Sequence, residues 1–168
     1  MNQDFDKIRL FFERDGEMGK KIKIKGKERI LKAGKWYRTK NLGDSEYFKI
    51  TFEDGSFLLV LLADEILMFA EEVIDEIAEI KSAEIGIRNR LEYKGRKYHL
   101  TNKNDHQLVK NRLFGETDGV EGEVRFSDYE PDELVDNRNE LLSLGWLTEN
   151  EARADIHVTE IFGDEIEI

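Results

Sequence analysis

The chain has 168 residues, no cysteine and a formal net charge of −11 at pH 7. This length suits one ordinary domain or two small modules that share a core, and the absence of cysteine excludes disulfides, thiolate zinc sites and a cysteine nucleophile. The N-terminus lacks the pattern of a signal peptide, and the longest apolar run, residues 57–63, is far shorter than the roughly 20 residues that span a bilayer. We therefore expect a cytoplasmic protein without a transmembrane segment.

The first predicted element lies in a basic segment, residues 20–40, which carries ten Lys and Arg residues against one acid, Glu28. The rest of the chain therefore sums to −20. Within the segment, KIKIK at residues 21–25 alternates strictly, which places three lysines on one face of a strand and two isoleucines on the other. Gly26 follows, so KIKGKERIL predicts a hairpin with a turn at Lys25-Gly26-Lys27.

A second hairpin is predicted after the basic segment. YFKITF (47–52) and SFLLVLL (56–62) flank Asp54-Gly55, the strongest turn dipeptide in the chain. The second of these strands is apolar on both faces, so we expect it to be the most buried segment. From the apolar phase of the strands and the closing aromatic motif, we predict five core side chains: Phe52, Leu59, Leu61, Phe126 and Trp146.

The segment between the two halves of the chain has a mixed pattern. Six apolar residues within 63–84 follow helical spacing: Ile66, Phe69, Ala70, Val73, Ile77 and Ile80. Residues 66–73 are equally compatible with a strand, whereas residues 75–82 are distinctly helix-like. We therefore predict a first β module over 1–73, a connecting helical segment over 74–84 and a second β module over 85–168.

A short helix is predicted between Pro131 and Gly145. Proline suits the first turn of a helix, and Asp132 and Glu133 favour its positive N-terminal end. Gly145 provides a stop signal. This helix would give the acidic residues around position 130 a structural role.

Two matches suggest an internal duplication. Lys25-Gly26-Lys27 followed by Leu31 matches Lys94-Gly95-Arg96 followed by Leu100, and KITFED (49–54) matches EVRFSD (123–128) in the same order at a slightly larger offset. The second match aligns Asp128 with the turn residue Asp54. We predict a mainly β fold of two similar small modules, barrel-like or sandwich-like, in one compact unit.

Few residues in the sequence suggest catalysis or metal binding. Asp128, Glu130, Asp132 and Glu133 could hold a cation or act as an acid/base pair, but we favour a solvated strand end next to a helix N-terminus. His99 with Asp105 and His106 could bind a metal across a hairpin, although surface or hydrogen-bonded histidines are commoner, and His157 stands apart. The chain contains no glycine-rich phosphate loop and no nucleophile elbow. We therefore predict no catalytic residue, no metal and no cofactor.

Several short motifs resemble an uncharacterised bacterial all-β family, a domain of unknown function. They are GRKYHL (95–100), EVRFSDYE (123–130) and the closing LLSLGWL with IHVTEIFGDEIEI. The N-terminal KGKERIL and YFKITFEDGSFLLVL resemble it as well, so the likeness covers roughly residues 20–168. The resemblance supports an all-β fold and implies no catalytic residue.

We expect a non-catalytic binding or adaptor protein, with a protein partner or self-association as the leading interpretation. One alternative is binding of single-stranded nucleic acid through the basic segment, where cations interleave with aromatic residues, although the net charge disfavours it. Another is an enzyme that uses the acidic cluster near 128–133. Lysines on an edge strand can also simply prevent aggregation. The candidate binding residues are Lys21, Lys23, Lys25, Arg29, Trp36 and Tyr37.

Overall fold

The computed structural model describes residues 3–39, 45–71, 77–115, 124–145 and 153–168. This part of the chain is mainly β, with one short α-helix, α1 (Gln3–Leu10), that continues into a π-helical turn, Phe11–Asp15. Its strands are β1 (Lys21–Ile24), β2 (Lys27–Thr39), β3 (Glu46–Phe52), β4 (Phe57–Leu61), β5 (Ile66–Ala70), β6 (Arg90–Tyr93), β7 (Arg96–Gly115), β8 (Val124–Pro131), β9 (Glu140–Leu144), β10 (Ile156–Ile161) and β11 (Ile166–Glu167). Two short 3₁₀ turns are Ser82–Glu84 and Gly163–Glu165. None of the helices in the described ranges is long and apolar enough to cross a membrane.

The strands pair antiparallel in the order β11-β1-β2-β3-β4-β5-β10-β9-β8-β7-β6. Each strand from β1 to β5 pairs with the next along the chain, and the same holds from β6 to β10. The two groups meet where β5 pairs with β10 and again where β2 pairs with β7. The sheet therefore curls back on itself, and its two halves have the same connectivity.

The first hairpin of each half also has the same register. Lys21 pairs with Ile30 in the β1–β2 hairpin, and Arg90 pairs with His99 at the corresponding position of the β6–β7 hairpin. The two-residue turns, Lys25-Gly26 and Lys94-Gly95, are left-handed at all four positions. This geometry agrees with the first sequence match, while an internal duplication stays a prediction.

The second sequence match does not hold residue by residue. It aligned Asp128 with the turn residue Asp54, but Asp128 lies inside β8, where it pairs with Ser143 of β9. Both β8 and β3 occupy the third position of their halves. The match therefore identified a segment that does form a strand, but it aligned the residues of that strand wrongly with those of β3. In so short a motif, a shift along the strand changes few of the residue types.

Three apolar clusters form the core. The first lies between α1 and one face of β1 to β5, and includes Phe5, Phe52 and Leu58. The second occupies the opposite face of these strands together with β10, and includes Leu59 and Phe126. The third supports the second half through Ile77, Ile80, Leu91, Tyr98, Tyr129, Leu142 and Leu144.

The predicted core is confirmed where the structure describes it. Phe52, Leu59 and Phe126 are buried, and Leu61 is half-buried against the second cluster. Trp146 lies outside the described residues. β4 is buried along its first four residues, as expected for a strand that is apolar on both faces.

The alternatives left open for residues 66–73 resolve to a strand over 66–70, which forms β5 between β4 and β10, with its two faces packed in the first and second clusters. The predicted helix between Pro131 and Gly145 is wrong. Pro131 ends β8, and Glu140–Leu144 forms β9 instead of the second half of a helix. Of the connecting segment, residues 77–84 contain only turns and the 3₁₀ turn Ser82–Glu84, and 72–76 lie outside the described residues.

Candidate functional site

The exposed face of β1 carries a row of lysines. Lys21, Lys23 and Lys25 are all exposed, while Ile22 and Ile24 are buried against the first cluster. Alternation along a strand places side chains two residues apart on one face, at a spacing of about 7 Å. The predicted lysine face therefore exists for Lys21 and Lys23, whereas Lys25 lies in the left-handed turn that follows β1. We call these three exposed residues the lysine row.

β1 is not an edge strand. It pairs with β2 on one side and with β11 on the other, through Lys23 with Glu167 and Ile24 with Ile166. The expectation that these lysines protect an exposed edge is therefore wrong for Lys23, whose backbone lies between two strands.

Carboxylates lie beside the lysine row. The Lys21 ammonium is 3.5 Å from Glu28, and Lys23 lies directly between Glu28 and Glu167 in the strand register. Both side chains of the Lys21–Glu28 pair are more than half exposed. Exposed ion pairs contribute only about 0–1 kcal/mol, so these contacts can exchange for contacts with a partner.

Arg29, another predicted binding residue, has a structural position. It is only 3 % exposed, and its guanidinium donates to the Asp54 carboxylate at 3.0 Å. The same group lies 4.7 Å above the ring of Phe69 and 4.0 Å from Glu71. Arg29 therefore ties the second hairpin turn and the end of β5 to β2.

Trp36 and Tyr37 lie on opposite faces of β2. Tyr37 is fully buried and stacks on Tyr47 with ring centroids 5.2 Å apart. Trp36 is half-buried, meets Phe48 edge-on and has the Lys110 ammonium 4.4 Å above its ring. The six predicted binding residues therefore do not form one surface, and only the lysine row is exposed as a unit.

A pocket lies between the turns of the two equivalent hairpins. It has a volume of about 190 Å³ and is bounded below by the junction of β5 with β10. Lys25 contributes to it from the first turn and Lys94 from the second. Its lining residues are Lys25, Phe69, Ala70, Glu71, Tyr93, Lys94, His157 and Thr159.

A buried carboxylate fixes one wall of this pocket. Glu140 accepts hydrogen bonds from Arg96 at 2.6 and 2.7 Å, from the Tyr98 hydroxyl and, at 2.9 Å, from the ring of His157. Burial alone would raise the pKa of Glu140, but the bonds from His157, Arg96 and Tyr98 together lower the pKa to about 2. Burial and the neighbouring carboxylate raise the pKa of Tyr98. Glu140 is thus an ionised anchor for His157 and Arg96.

One residue of the acidic cluster, Asp128, does not lie at a solvated strand end. Asp128 is 9 % exposed and accepts hydrogen bonds from Ser143 and from the amide of Asn102, which also donates to Asp105. Burial raises the pKa of Asp128 to about 6, and the bonds from Ser143 and Asn102 oppose this shift. Glu130 is exposed. Asp128 has the environment of a structural carboxyl group within the sheet.

Asp132 also has structural partners, although it is exposed at the end of β8 together with Glu130 and Glu133. Asp132 accepts from Arg90 at 2.9 Å and lies 2.8 Å from the ring of His99, and both bonds lower its pKa. The carbonyl of Glu133 accepts from Arg96. Among the described residues, no group of three or more His, Asp or Glu side chains is arranged to hold a metal ion. The side chain of His106 lies outside the described residues.

Lys94, His157 and Glu140 were not predicted as site residues. The repeat of Lys-Gly in the two matched motifs is the signal that could have identified Lys94, because equivalent turns in two similar halves can meet at the axis that relates them. The position of His157 depends on the pairing of β5 with β10. No local pattern encodes that pairing.

Comparison with protein-family models, with curated proteins and with solved structures found no match to this chain. The assignment of function therefore depends on the geometry of the described residues. Two features of that geometry offer cationic groups to a ligand: the lysine row and the pocket between the two turns.

Proposed function

We propose that this protein is a non-catalytic binding protein whose lysine row engages an acidic protein partner. The observation that carries the proposal is the exposure of Lys21 and Lys23 on one face of β1, with Lys25 exposed in the turn that follows the strand. A fixed row of cations suits complementary charges on a partner, which favour fast and selective association. The surrounding acidic surface disfavours unselective anions.

The hydrogen bonds of three carboxylates that could otherwise act in catalysis support a non-catalytic role. Glu140 is held by three donors, and Asp128 is held by Ser143 and Asn102. Asp132 is held by Arg90 and His99. A general acid or base must be able to exchange a proton with a substrate, and these groups face neighbours of the fold.

Nucleic acid is a weaker candidate for the same surface. Single-stranded binding combines cations with exposed aromatic rings that stack on bases, but Tyr37 is fully buried and Trp36 is covered by Phe48 and Lys110. The net charge of −11 opposes the approach of either polyanion, so the distinction between them depends on the aromatic residues. The lysine row without a stacking platform favours an acidic polypeptide.

The first prediction concerns binding of a defined acidic peptide. A fluorescein-labelled peptide of about ten glutamates should bind the wild-type protein in an anisotropy titration at about 50 mM salt and should weaken as salt rises. Replacing Lys21 and Lys23 with Gln should weaken binding by about tenfold or more. The free energy of unfolding should change by less than about 0.5 kcal/mol, because both side chains are exposed.

A matched control uses two exposed lysines of β7, Lys97 and Lys103. Their double replacement with Gln changes net charge by the same amount and should leave peptide binding unchanged. Equal losses in both double variants would show that only overall charge matters. A single-stranded oligonucleotide that binds more tightly than the peptide would favour nucleic acid instead, and flat titrations with both probes would contradict the proposal.

A further inference from the structure

Two lysines occupy a backbone conformation that lysine disfavours. Lys25 has φ 52° and Lys94 has φ 49°, and each precedes a glycine with φ 76°. This is the geometry of a tight hairpin turn whose first position favours Asn, Asp or Gly. Strained positions of this kind mark functional side chains more often than chance would. Lysine occupies this disfavoured conformation at two equivalent positions, and turn formation alone does not explain why.

Both lysines contribute to the same pocket. They come from equivalent turns in different halves of the chain and line the pocket of about 190 Å³ above the junction of β5 with β10. The backbone N–H of Lys25 donates to the carbonyl of Glu165 at 2.7 Å, which fixes the first turn. The Lys94 ammonium lies 5.4 Å above the ring of Tyr93. Two separate turns thus each contribute a lysine to the lining of one pocket.

The carboxylates near the pocket have arginine neighbours. Glu71 lines the pocket, but it lies 4.0 Å from the guanidinium of Arg29. Glu165, close to Lys25, accepts a hydrogen bond from Arg138 at 2.6 Å. Among the residues that line the pocket, Lys25 and Lys94 carry two positive charges against the single negative charge of Glu71, and Thr159 contributes a hydroxyl-bearing side chain.

We propose that this pocket binds a phosphate group. A tetrahedral anion can accept hydrogen bonds from donors that approach from several sides, as the two turns and β10 do. Carboxylates are matched better by the planar fork of an arginine. The arginines near the pocket, Arg29 and Arg96, already bind Asp54 and Glu140. The cations that the pocket offers to a ligand are therefore lysine ammonium groups, which act as point charges.

The dimensions limit the ligand to a small one. A volume of about 190 Å³ is below the roughly 300 Å³ at which pockets for drug-sized molecules begin. Inorganic phosphate or the phosphate of a small monoester fits this space. The rings of Phe69 and Tyr93 in the lining can contact a small apolar group attached to the phosphate.

The test is an NMR titration of the ¹⁵N-labelled protein with inorganic phosphate at constant ionic strength. Saturating shifts are expected at the amides of Gly26 and Gly95, which follow the two lysines. Gly55, in the turn between β3 and β4, serves as an internal reference and should not shift. Wild-type protein whose two turn glycines do not respond would overturn the proposal.

Substitution by asparagine separates binding from folding. Lys25→Asn and Lys94→Asn each place a residue that suits the left-handed turn, so the melting temperature should stay or rise, while phosphate affinity should fall by about tenfold in each variant. Lys97→Asn, an exposed lysine on the same hairpin as Lys94, should change affinity little. If either asparagine variant fails to fold, the corresponding Lys→Gln variant takes its place.

The outcomes are independent of the acidic-peptide experiment. Replacing Lys21 and Lys23 should leave phosphate binding intact, since neither residue lines the pocket. Unchanged phosphate affinity in the two asparagine variants, an equal loss in Lys97→Asn, or stronger shifts with succinate than with phosphate would each overturn the phosphate assignment.

Discussion

Buried charged residues in this protein connect segments that are distant in sequence. Asp155 is fully buried and accepts hydrogen bonds from Arg153, from the backbone N–H of Ile77 and from that of Gly145. Glu140 plays the same part for Arg96 and His157. An unpaired buried carboxylate is costly, whereas a fully bonded one specifies a single arrangement. These residues therefore determine how loops meet strands.

Asp128 is a carboxyl group whose burial disfavours its charge. Its pKa in the folded protein is about 6, above the ordinary value of 3.8, so the folded state holds its proton more tightly than the unfolded chain does. The stabilisation is complete below about pH 3.8 and is lost as pH rises through about 6. The loss amounts to about 2–3 kcal/mol by linkage.

We therefore predict that Asp128→Asn gains stability relative to the wild type as pH rises from about 4 to about 7. Asparagine keeps an oxygen for Ser143 and has no charge to desolvate. Urea unfolding at several pH values measures the difference, which should grow by about 2–3 kcal/mol over this interval. Asp64→Asn, in an exposed turn, is the control and should show no such trend. Parallel pH profiles for Asp128→Asn and the wild type would contradict the assignment.

At the scale of single residues, the sequence predicts apolar positions better than polar ones. Alternation along a strand was enough to place Phe52, Leu59 and Phe126 in the core. The burial of Asp128 depends on Ser143 and Asn102, which reach it only through the pairing of β8 with β9 and β7. No local pattern contains that register.

At the scale of elements, hairpins were predictable and helices were not. The turns Lys25-Gly26 and Asp54-Gly55 lie between strands as expected, because their dipeptides favour two-strand connections. The spacing of residues 66–70 was compatible with either a helix or a strand, since a short apolar run also fits a strand buried on both faces, and this segment forms β5. α1 was not predicted, and it covers the first cluster through Phe5 and Ile8.

The loss of stability on truncating side chains of β4 tests which of them face the core. Leu59 is 4 % exposed within the second cluster, whereas Leu61 is half-buried at its margin. Leu59→Ala should lower the free energy of unfolding by about 2–5 kcal/mol, because it leaves a cavity in packed surroundings. Leu61→Ala should cost clearly less in the same denaturant titration. A loss below about half a kcal/mol for Leu59→Ala would mean that the strand phase is wrong.

At the scale of the whole molecule, two halves of equal connectivity share one curled sheet. The strand order repeats from β1 to β5 and from β6 to β10, and the halves are joined through β2 with β7 and through β5 with β10. Sequence patterns predicted a mainly β fold and similar halves. They could not predict the two junctions, because pairing between segments so far apart along the chain has no local signal. The internal duplication and the resemblance to an uncharacterised bacterial family stay predictions.

The junction of β2 with β7 requires glycine. A Cβ at Gly34 would lie 2.6 Å from the ring of Phe114, and one at Gly16 would lie 2.7 Å from the same ring. Phe114 thus fills the space that two glycines leave open beside the first cluster. The end of β7 at Gly115 is tighter still, because a Cβ there would lie 2.1 Å from the carbonyl oxygen of Lys32.

The last prediction tests whether this junction makes the two halves one cooperative unit. Gly115→Ala and Gly55→Ala both place alanine at a left-handed position, with φ of 80° and 88°, which costs about 1–2 kcal/mol in each. A Cβ at Gly55 meets open space, so only Gly115→Ala adds the clash with β2, worth about a further 1–3 kcal/mol. Both transitions should stay two-state by circular dichroism and tryptophan fluorescence, since the halves share a sheet. A biphasic transition in Gly115→Ala would show that the halves unfold separately, and equal losses in the two variants would show that the junction carries no stability.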